Sequence, residues 1–134
     1  MSDQMREQGM AMRRAVLGDA YVDRAEGNKS PLTEEFQDLL TRYAWGEIWT
    51  RPGLDKRTRS CITVAMLVAL GQTEELKVHL RGAVNNGVTV DELKEVLLQS
   101  AIYCGIPAAN TAFRIAAEIL NDSLQGVTGR DPEI

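Results

Sequence analysis

Residues 73–104 read TEELKVHLRGAVNNGVTVDELKEVLLQSAIYC, and their apolar residues recur at intervals of three and four. This spacing predicts two amphipathic helices, because a half-buried strand would alternate apolar and polar residues with a period of two. Asn85-Asn86-Gly87 ends the first helix, and Thr89 with Glu92 forms a capping box that starts the second. We therefore predict a helix pair here and an all-α chain.

The same periodicity continues on both sides of this pair. Asp55 is predicted to cap a helix over residues 56–70, which is apolar nearly all round from Cys61 and is therefore placed at the centre of a bundle. An earlier helix is predicted from Ser30-Pro31 to Pro52-Gly53. An alanine-rich helix is predicted over residues 108–124.

The length and composition of the chain fit one domain. The 134 residues, 44% of them apolar, provide a core of ordinary size, so we predict a single domain over residues 1–134. Residues 1–30 are patterned more weakly and predict an N-terminal helical arm. Residues 126–134 predict a frayed tail.

Charge and cysteine usage exclude several classes of protein. A net charge of -4 disfavours a nucleic-acid binder. The longest apolar run, residues 61–70, is far shorter than the ~20 residues needed to cross a bilayer, and residues 1–14 do not resemble a signal peptide. Cys61 and Cys104 have no metal-ligand spacing around them, so we predict reduced thiols, no metal and a cytoplasmic protein. Apolar side chains around Met10, Met12, Trp45 and Trp49 predict an exposed face and self-association.

His79 is the first candidate for chemistry. It follows Leu76 by three positions and precedes Ala83 by four, which places it at the edge of the buried stripe. The imidazole is either a proton carrier or a core histidine with a structural hydrogen bond. Glu75, one turn earlier, either orients the imidazole and raises its pKa or is a solvated carboxylate in the first turn.

Glu47 is the second candidate, because it lies between Trp45 and Trp49. Burial there would raise the pKa of the carboxyl group, whereas an ordinary helix-end glutamate would stay ionised. Arg51 and Arg81 are nearby cations that could bind a carboxylate in a bidentate manner. The chain has no Gly-rich phosphate loop, no paired metal ligands and no nucleophile elbow, so the residues alone predict an acid/base site without a cofactor.

Four segments together resemble the γ-carboxymuconolactone decarboxylase family. The resemblance implies the all-helical AhpD-like fold, a homohexamer, and decarboxylation of 4-carboxymuconolactone to β-ketoadipate enol-lactone in protocatechuate breakdown, without a cofactor. Related AhpD-like proteins carry Cys-x-x-Cys-x-x-x-His. Aligning His79 with that histidine puts Gln72 and Glu75 at the cysteine positions, so a thiol peroxidase is disfavoured. The segments that carry the resemblance are residues 45–54, 57–60, 75–89 and 103–109.

The resemblance also implies roles for individual residues. His79 is the acid or the oxyanion donor, and Glu47 is its partner or an alternative proton source. Arg51 and Arg81 hold the carboxylate that stays on the substrate, while the departing carboxylate lies near Trp49 or Ile106 in a site for a small dicarboxylate lactone. The alternatives are a family member with another activity, acting on a related lactone or a peroxide, and a non-catalytic helical assembly.

Overall fold

The structure is a computed structural model that describes residues 2–121, and every regular element in that range is a helix. The all-α prediction is confirmed there, whereas the predicted tail at residues 126–134 lies outside the described residues. The chain divides into two compact units, residues 1–59 and 60–134, and the single domain stays a prediction. The helices are α1 (Ser2–Leu17), α2 (Asp19–Gly27), α3 (Glu34–Leu40) with a π-helical segment (Thr41–Ile48), α4 (Lys56–Leu70), α5 (Thr73–Asn85), α6 (Val90–Cys104) and α7 (Ile106–Ile119).

Several predicted helix ends are confirmed by the hydrogen bonds that satisfy them. Asp55 accepts a bond of 2.7 Å from the Thr58 amide, which lowers the pKa of its carboxyl group and caps α4. At the start of α6 the Thr89 hydroxyl accepts from the Glu92 amide at 3.0 Å, and the Glu92 carboxylate accepts from the Thr89 amide at 2.9 Å. Gly87, with φ of +90°, ends the turn after α5 in a conformation that favours glycine.

The predicted helix start at Ser30-Pro31 is wrong by several residues. Residues 31–33 form a turn, in which the Thr33 amide donates to the Ser30 carbonyl and the Ser30 amide donates to the Thr33 hydroxyl, both at 3.0 Å. α3 begins only at Glu34. The serine and threonine satisfy each other's backbone groups in this turn, which competes locally with a longer helix.

The core of the second unit lies among α5, α6 and α7. Its side chains come from these three helices, with Val64 and Val68 from α4 and Val88 from the turn between α5 and α6. The buried set also contains Leu76, Leu80, Ala83, Leu93, Leu97, Ala112, Ile115, Ala116 and Leu120.

The prediction that α4 is central is wrong for the chain by itself. Its buried residues Ser60, Val64 and Val68 follow one another at intervals of four, and so form a single stripe. Met66 and Leu70 keep 59% and 70% of their surface exposed. An all-round apolar pattern does not distinguish burial inside one chain from a face that another chain covers.

In the first unit, α1 packs closely against the π-helical segment. A Cβ atom on Gly9 would overlap the Thr41 carbonyl oxygen, and one on Gly46 would lie 2.5 Å from the Met5 carbonyl oxygen. These two glycines therefore allow the two backbones to approach closely. The predicted exposed face is also corrected here, because Trp45 is buried while Met10, Met12 and Trp49 are half-buried.

We expect Gly9→Ala to lower the free energy of unfolding by about 1–3 kcal/mol, since the new methyl group overlaps backbone that cannot move independently. Gly27→Ala is the matched control, because a Cβ there meets nothing within 4 Å. Urea denaturation of both variants measures the difference. Equal stability of the two variants would contradict the close approach.

Candidate functional site

His79 lies on α5 in the second unit, and most of its side chain is buried. The side chain is 13% exposed, and Leu76, Leu80 and Ala83 on the same helix are buried. Its predicted position at the edge of the buried stripe is confirmed. Burial lowers the pKa of His79 from 6.5 to about 4, because it penalises the charged imidazolium. The imidazole is therefore neutral at pH 7.

Glu75 does not raise the pKa of His79, so the first of the two readings of this carboxylate is wrong. Its Oε2 atom lies 4.0 Å from Nε2 of His79, beyond hydrogen-bonding distance. The Glu75 side chain is 57% exposed, so water screens its charge. The structure favours the other reading, in which Glu75 is a solvated carboxylate in the first turn of α5.

Arg81 lies two positions after His79 on α5, and the helix does not bring the two side chains together. Residues at i and i+2 point to different sides of a helix, and Arg81 is exposed whereas His79 is half-buried. Ile106 begins α7 after Gly105, whose φ is +96°. Its side chain is 71% exposed and presents an apolar surface to solvent.

The tryptophans of the first unit form a stacked pair. The ring centroids of Trp45 and Trp49 are 4.9 Å apart and the ring planes meet at 27°. Trp45 is 5% exposed, so it anchors the half-buried Trp49. Glu47, between them in sequence, is exposed. Of the two readings of Glu47, the structure therefore favours the ordinary helix-end glutamate over the buried carboxyl group.

Arg51 lies in the loop that follows the π-helical segment, and its side chain is exposed. Its amide donates to the Ile48 carbonyl at 3.0 Å, and its carbonyl accepts from Nη2 of Arg59, also at 3.0 Å. Arg59 therefore ties the loop to the start of α4. No sequence signal indicated this role, because the bond uses a backbone acceptor eight positions away.

Sequence reasoning also missed the polar link between Ser60 and Asn86. Ser60 is 1% exposed, and its hydroxyl accepts a bond of 2.9 Å from the Asn86 amide group. This bond joins the first residues of the second unit to the end of α5, the helix that carries His79. The two residues are 26 positions apart, so periodicity could not connect them.

Cys61 and Cys104 are half-buried and pack against the core of the second unit, as small hydrophobic residues do. Both border a hollow of about 460 Å³ lined mainly by α4 and α6. Within residues 2–121, no group of three or more histidine, cysteine, aspartate or glutamate side chains is arranged to hold a metal ion. No helix in that range is long and apolar enough to span a membrane.

Comparison with known proteins identifies the family. The sequence model of the Carboxymuconolactone decarboxylase family matches residues 34–118. The chain is 47% identical over 123 residues to a 4-carboxymuconolactone decarboxylase of Acinetobacter baylyi, covering 91% of this chain and 92% of the relative. It is 39% identical over 127 residues to a nitrosuccinic acid decarboxylase of Metarhizium robertsii, covering 95% and 89%. The chain therefore belongs to the carboxymuconolactone decarboxylase family.

We expect the burial of His79 to make the protein less stable in acid. The unfolded chain takes up a proton near pH 6.5 and the folded chain only near pH 4, so the free energy of unfolding falls as the pH decreases through this window. The loss is about 2–3 kcal/mol between pH 7.5 and pH 4.5.

His79→Gln removes this titration while keeping a neutral polar side chain. Urea denaturation at both pH values should therefore show a smaller loss for His79→Gln than for the unchanged protein. The pKa of Asp55 is lowered by the Thr58 amide, so its contribution to the free energy of unfolding also falls in acid. Because both proteins contain Asp55, this contribution cancels in the comparison. An equal loss in both proteins would show that His79 is not buried as described.

Proposed function

We propose that this chain decarboxylates 4-carboxymuconolactone to β-ketoadipate enol-lactone and CO2 without a cofactor. The observation that carries the proposal is the 47% identity to a relative of that name over 91% of this chain and 92% of the relative. The pathway is the cytoplasmic breakdown of protocatechuate through β-ketoadipate.

The substrate carries the electron sink that this reaction needs. The departing carboxylate is attached to a saturated ring carbon next to the C=C bond that is conjugated with the lactone carbonyl. Electrons released with CO2 therefore flow into that carbonyl and form a dienolate. The protein has to seat the dicarboxylate, stabilise the negative oxygen and protonate the ring carbon next to the carbonyl.

His79 is the proposed donor to the lactone oxygen. Its lowered pKa keeps the imidazole neutral at pH 7, and a neutral imidazole still has one N–H group that can donate to a developing oxyanion. Desolvation supports this role, because a hydrogen bond to an oxyanion is stronger in surroundings of low dielectric constant. Of the two predicted roles, the pKa favours the oxyanion donor over the imidazolium acid.

The arginines are proposed to bind the carboxylate that stays on the substrate. Arg51 and Arg81 are both exposed and carry the planar guanidinium group that suits bidentate binding. Trp49 or Ile106 is proposed to border the departing carboxylate, since apolar surroundings disfavour its charge and promote its loss as neutral CO2. Stacking on the buried Trp45 supports the role of Trp49, because it holds the ring in one orientation.

Glu47 is the second candidate for the proton donor to the ring carbon. Its side chain is exposed in the single chain, so a substrate can reach the carboxyl group. We also propose that the protein assembles as a homohexamer. Large apolar side chains left exposed on α3, α4 and α6 support self-association.

A second candidate reaction is the decarboxylation of nitrosuccinic acid. The observation that favours it is the 39% identity to the fungal decarboxylase of that name over 95% of this chain. The two substrates are chemically alike in one respect, because a nitro group, like the conjugated lactone carbonyl, accepts the electrons released with CO2. The chain thus suits carboxylates that contain their own electron acceptor.

Purified protein treated with a chelator and dialysed should convert 4-carboxymuconolactone and release one CO2 for each lactone consumed. The assay follows loss of the lactone absorbance together with CO2 trapping. Turnover of nitrosuccinic acid alone would favour the second candidate. Turnover of neither substrate by folded protein would favour a non-catalytic helical assembly.

We expect His79→Ala to lower kcat by about 10²–10⁴-fold, the usual contribution of one positioned acid or donor. Glu75→Gln is the matched control on the same helix, and it should retain kcat because Glu75 is solvated. Glu47→Gln tests the proton source, because this variant should lose kcat by a similar factor if Glu47 protonates the ring carbon. Unchanged kcat in folded His79→Ala would remove the imidazole from the mechanism.

A further inference from the structure

The first unit presents an apolar ridge that no described residue covers. We define the α3 ridge as Leu32, Phe36, Leu39 and Tyr43, which are 90%, 62%, 48% and 57% exposed. Phe36, Leu39 and Tyr43, at spacings of three and four, lie on one side of α3 and of the π-helical segment that continues it. Leu32 lies in the turn just before α3. The buried Thr41 lies on the opposite side, where its hydroxyl donates to the Gln37 carbonyl at 2.8 Å. The ridge therefore points away from the unit that carries it.

The ridge is large enough to form the centre of a protein interface. Buried aromatic side chains contribute 150–250 Å² each, so these exposed fractions leave on the order of 400 Å² of side-chain surface. A standard interface buries about 800 Å² on each partner, polar rim included. Two such ridges facing each other would supply the apolar core of an interface of that class.

Two opposite charges border the ridge on the same side. Glu35 and Arg42 are seven positions apart, which is two helical turns, so they lie on one flank. Arg42 is held there by Asp38, whose Oδ2 atom accepts from Nε of Arg42 at 2.8 Å. Asp38 also bonds Arg6, and these two guanidinium groups lower the pKa of Asp38 to about 2. Since a guanidinium has five donor hydrogens, Arg42 can bond a second carboxylate.

Antiparallel pairing of two ridges would match both the apolar and the charged positions. When two helices pair antiparallel about a two-fold axis, each flank meets the same flank of the other helix. An axis between residues 37 and 38 sets Phe36 against Leu39 of the second copy, and places Leu32, in the turn before α3, near the Tyr43 end of the second copy. The same axis brings Arg42 of the second copy to within two positions of the residue opposite Glu35, about 3 Å along the helix, which these long side chains can span. The pair occurs twice in each dimer.

We propose that a second copy of this chain docks antiparallel on the α3 ridge, with Glu35 and Arg42 paired between the copies. This inference rests on the self-association proposed above and names one of its interfaces. A two-fold contact must be self-complementary, and a flank with one acid and one base two turns apart meets that condition. An anionic membrane surface fits less well, because Glu34, Glu35 and Asp38 lie along the same helix.

Phe36→Asp tests the apolar contact, because it places a charge at the centre of the ridge. We expect the dissociation constant of the pair to rise about 30-fold or more, as for loss of a central interface residue, measured by sedimentation velocity over a concentration series. Leu54→Asp is the control, since Leu54 is 44% exposed in the same unit but outside the ridge. Circular dichroism confirms that each variant is folded.

Charge reversal tests the register. Glu35→Arg and Arg42→Glu should each weaken the pair by bringing like charges together, and the double variant should recover most of the loss. A double variant no tighter than the weaker single variant would overturn the antiparallel register. Docking on the ridge would be overturned if the unchanged protein is monomeric, or if folded Phe36→Asp keeps the full particle mass.

Decarboxylase turnover measured on the same samples separates this inference from the proposed function. An intact particle without turnover of either substrate speaks against the function alone. If the unchanged protein turns over a substrate and the Phe36→Asp variant keeps the full particle mass, the result speaks against the ridge alone.

Discussion

The buried stripe of α5 is the constraint on which the proposed chemistry depends. Leu76, Leu80 and Ala83 place this helix against the core of the second unit, and His79 at the edge of the stripe is carried into the same surroundings. The cost of charging a desolvated imidazole keeps it neutral. Burial therefore lowers the pKa of the candidate catalytic group and sets its protonation state at neutral pH.

A different constraint acts in the first unit, where the backbones of two helical segments are in close contact. Gly9 and Gly46 allow α1 and the π-helical segment to touch, and that segment carries the stacked tryptophans. The Trp49 amide donates to the Ala44 carbonyl at 3.0 Å, five positions back, which widens the turn. π-helical turns occur frequently at functional sites, and this one positions the ring proposed to border the departing carboxylate.

The candidate site was only partly predictable, for reasons that differ between residues. The half-burial of His79 followed from its spacing to Leu76 and Ala83, which is a property of any α-helix. The direction of its pKa change did not follow, because a carboxylate at i-4 suggests an increase and only the structure shows that Glu75 is solvated and 4.0 Å away. Arg81 belongs to the same helix, yet its position at i+2 sends its side chain elsewhere.

The sequence by itself determined the helical class, the capping of α4 and α6, and the stripes that form the core, because these depend on contacts within a few residues. Tertiary structure alone decided that α4 is covered on one side, that Glu47 is exposed and that Ser60 bonds Asn86. Those features depend on residues far apart in the chain. Local periodicity indicates which positions are buried, but it does not indicate which neighbouring residues cover them.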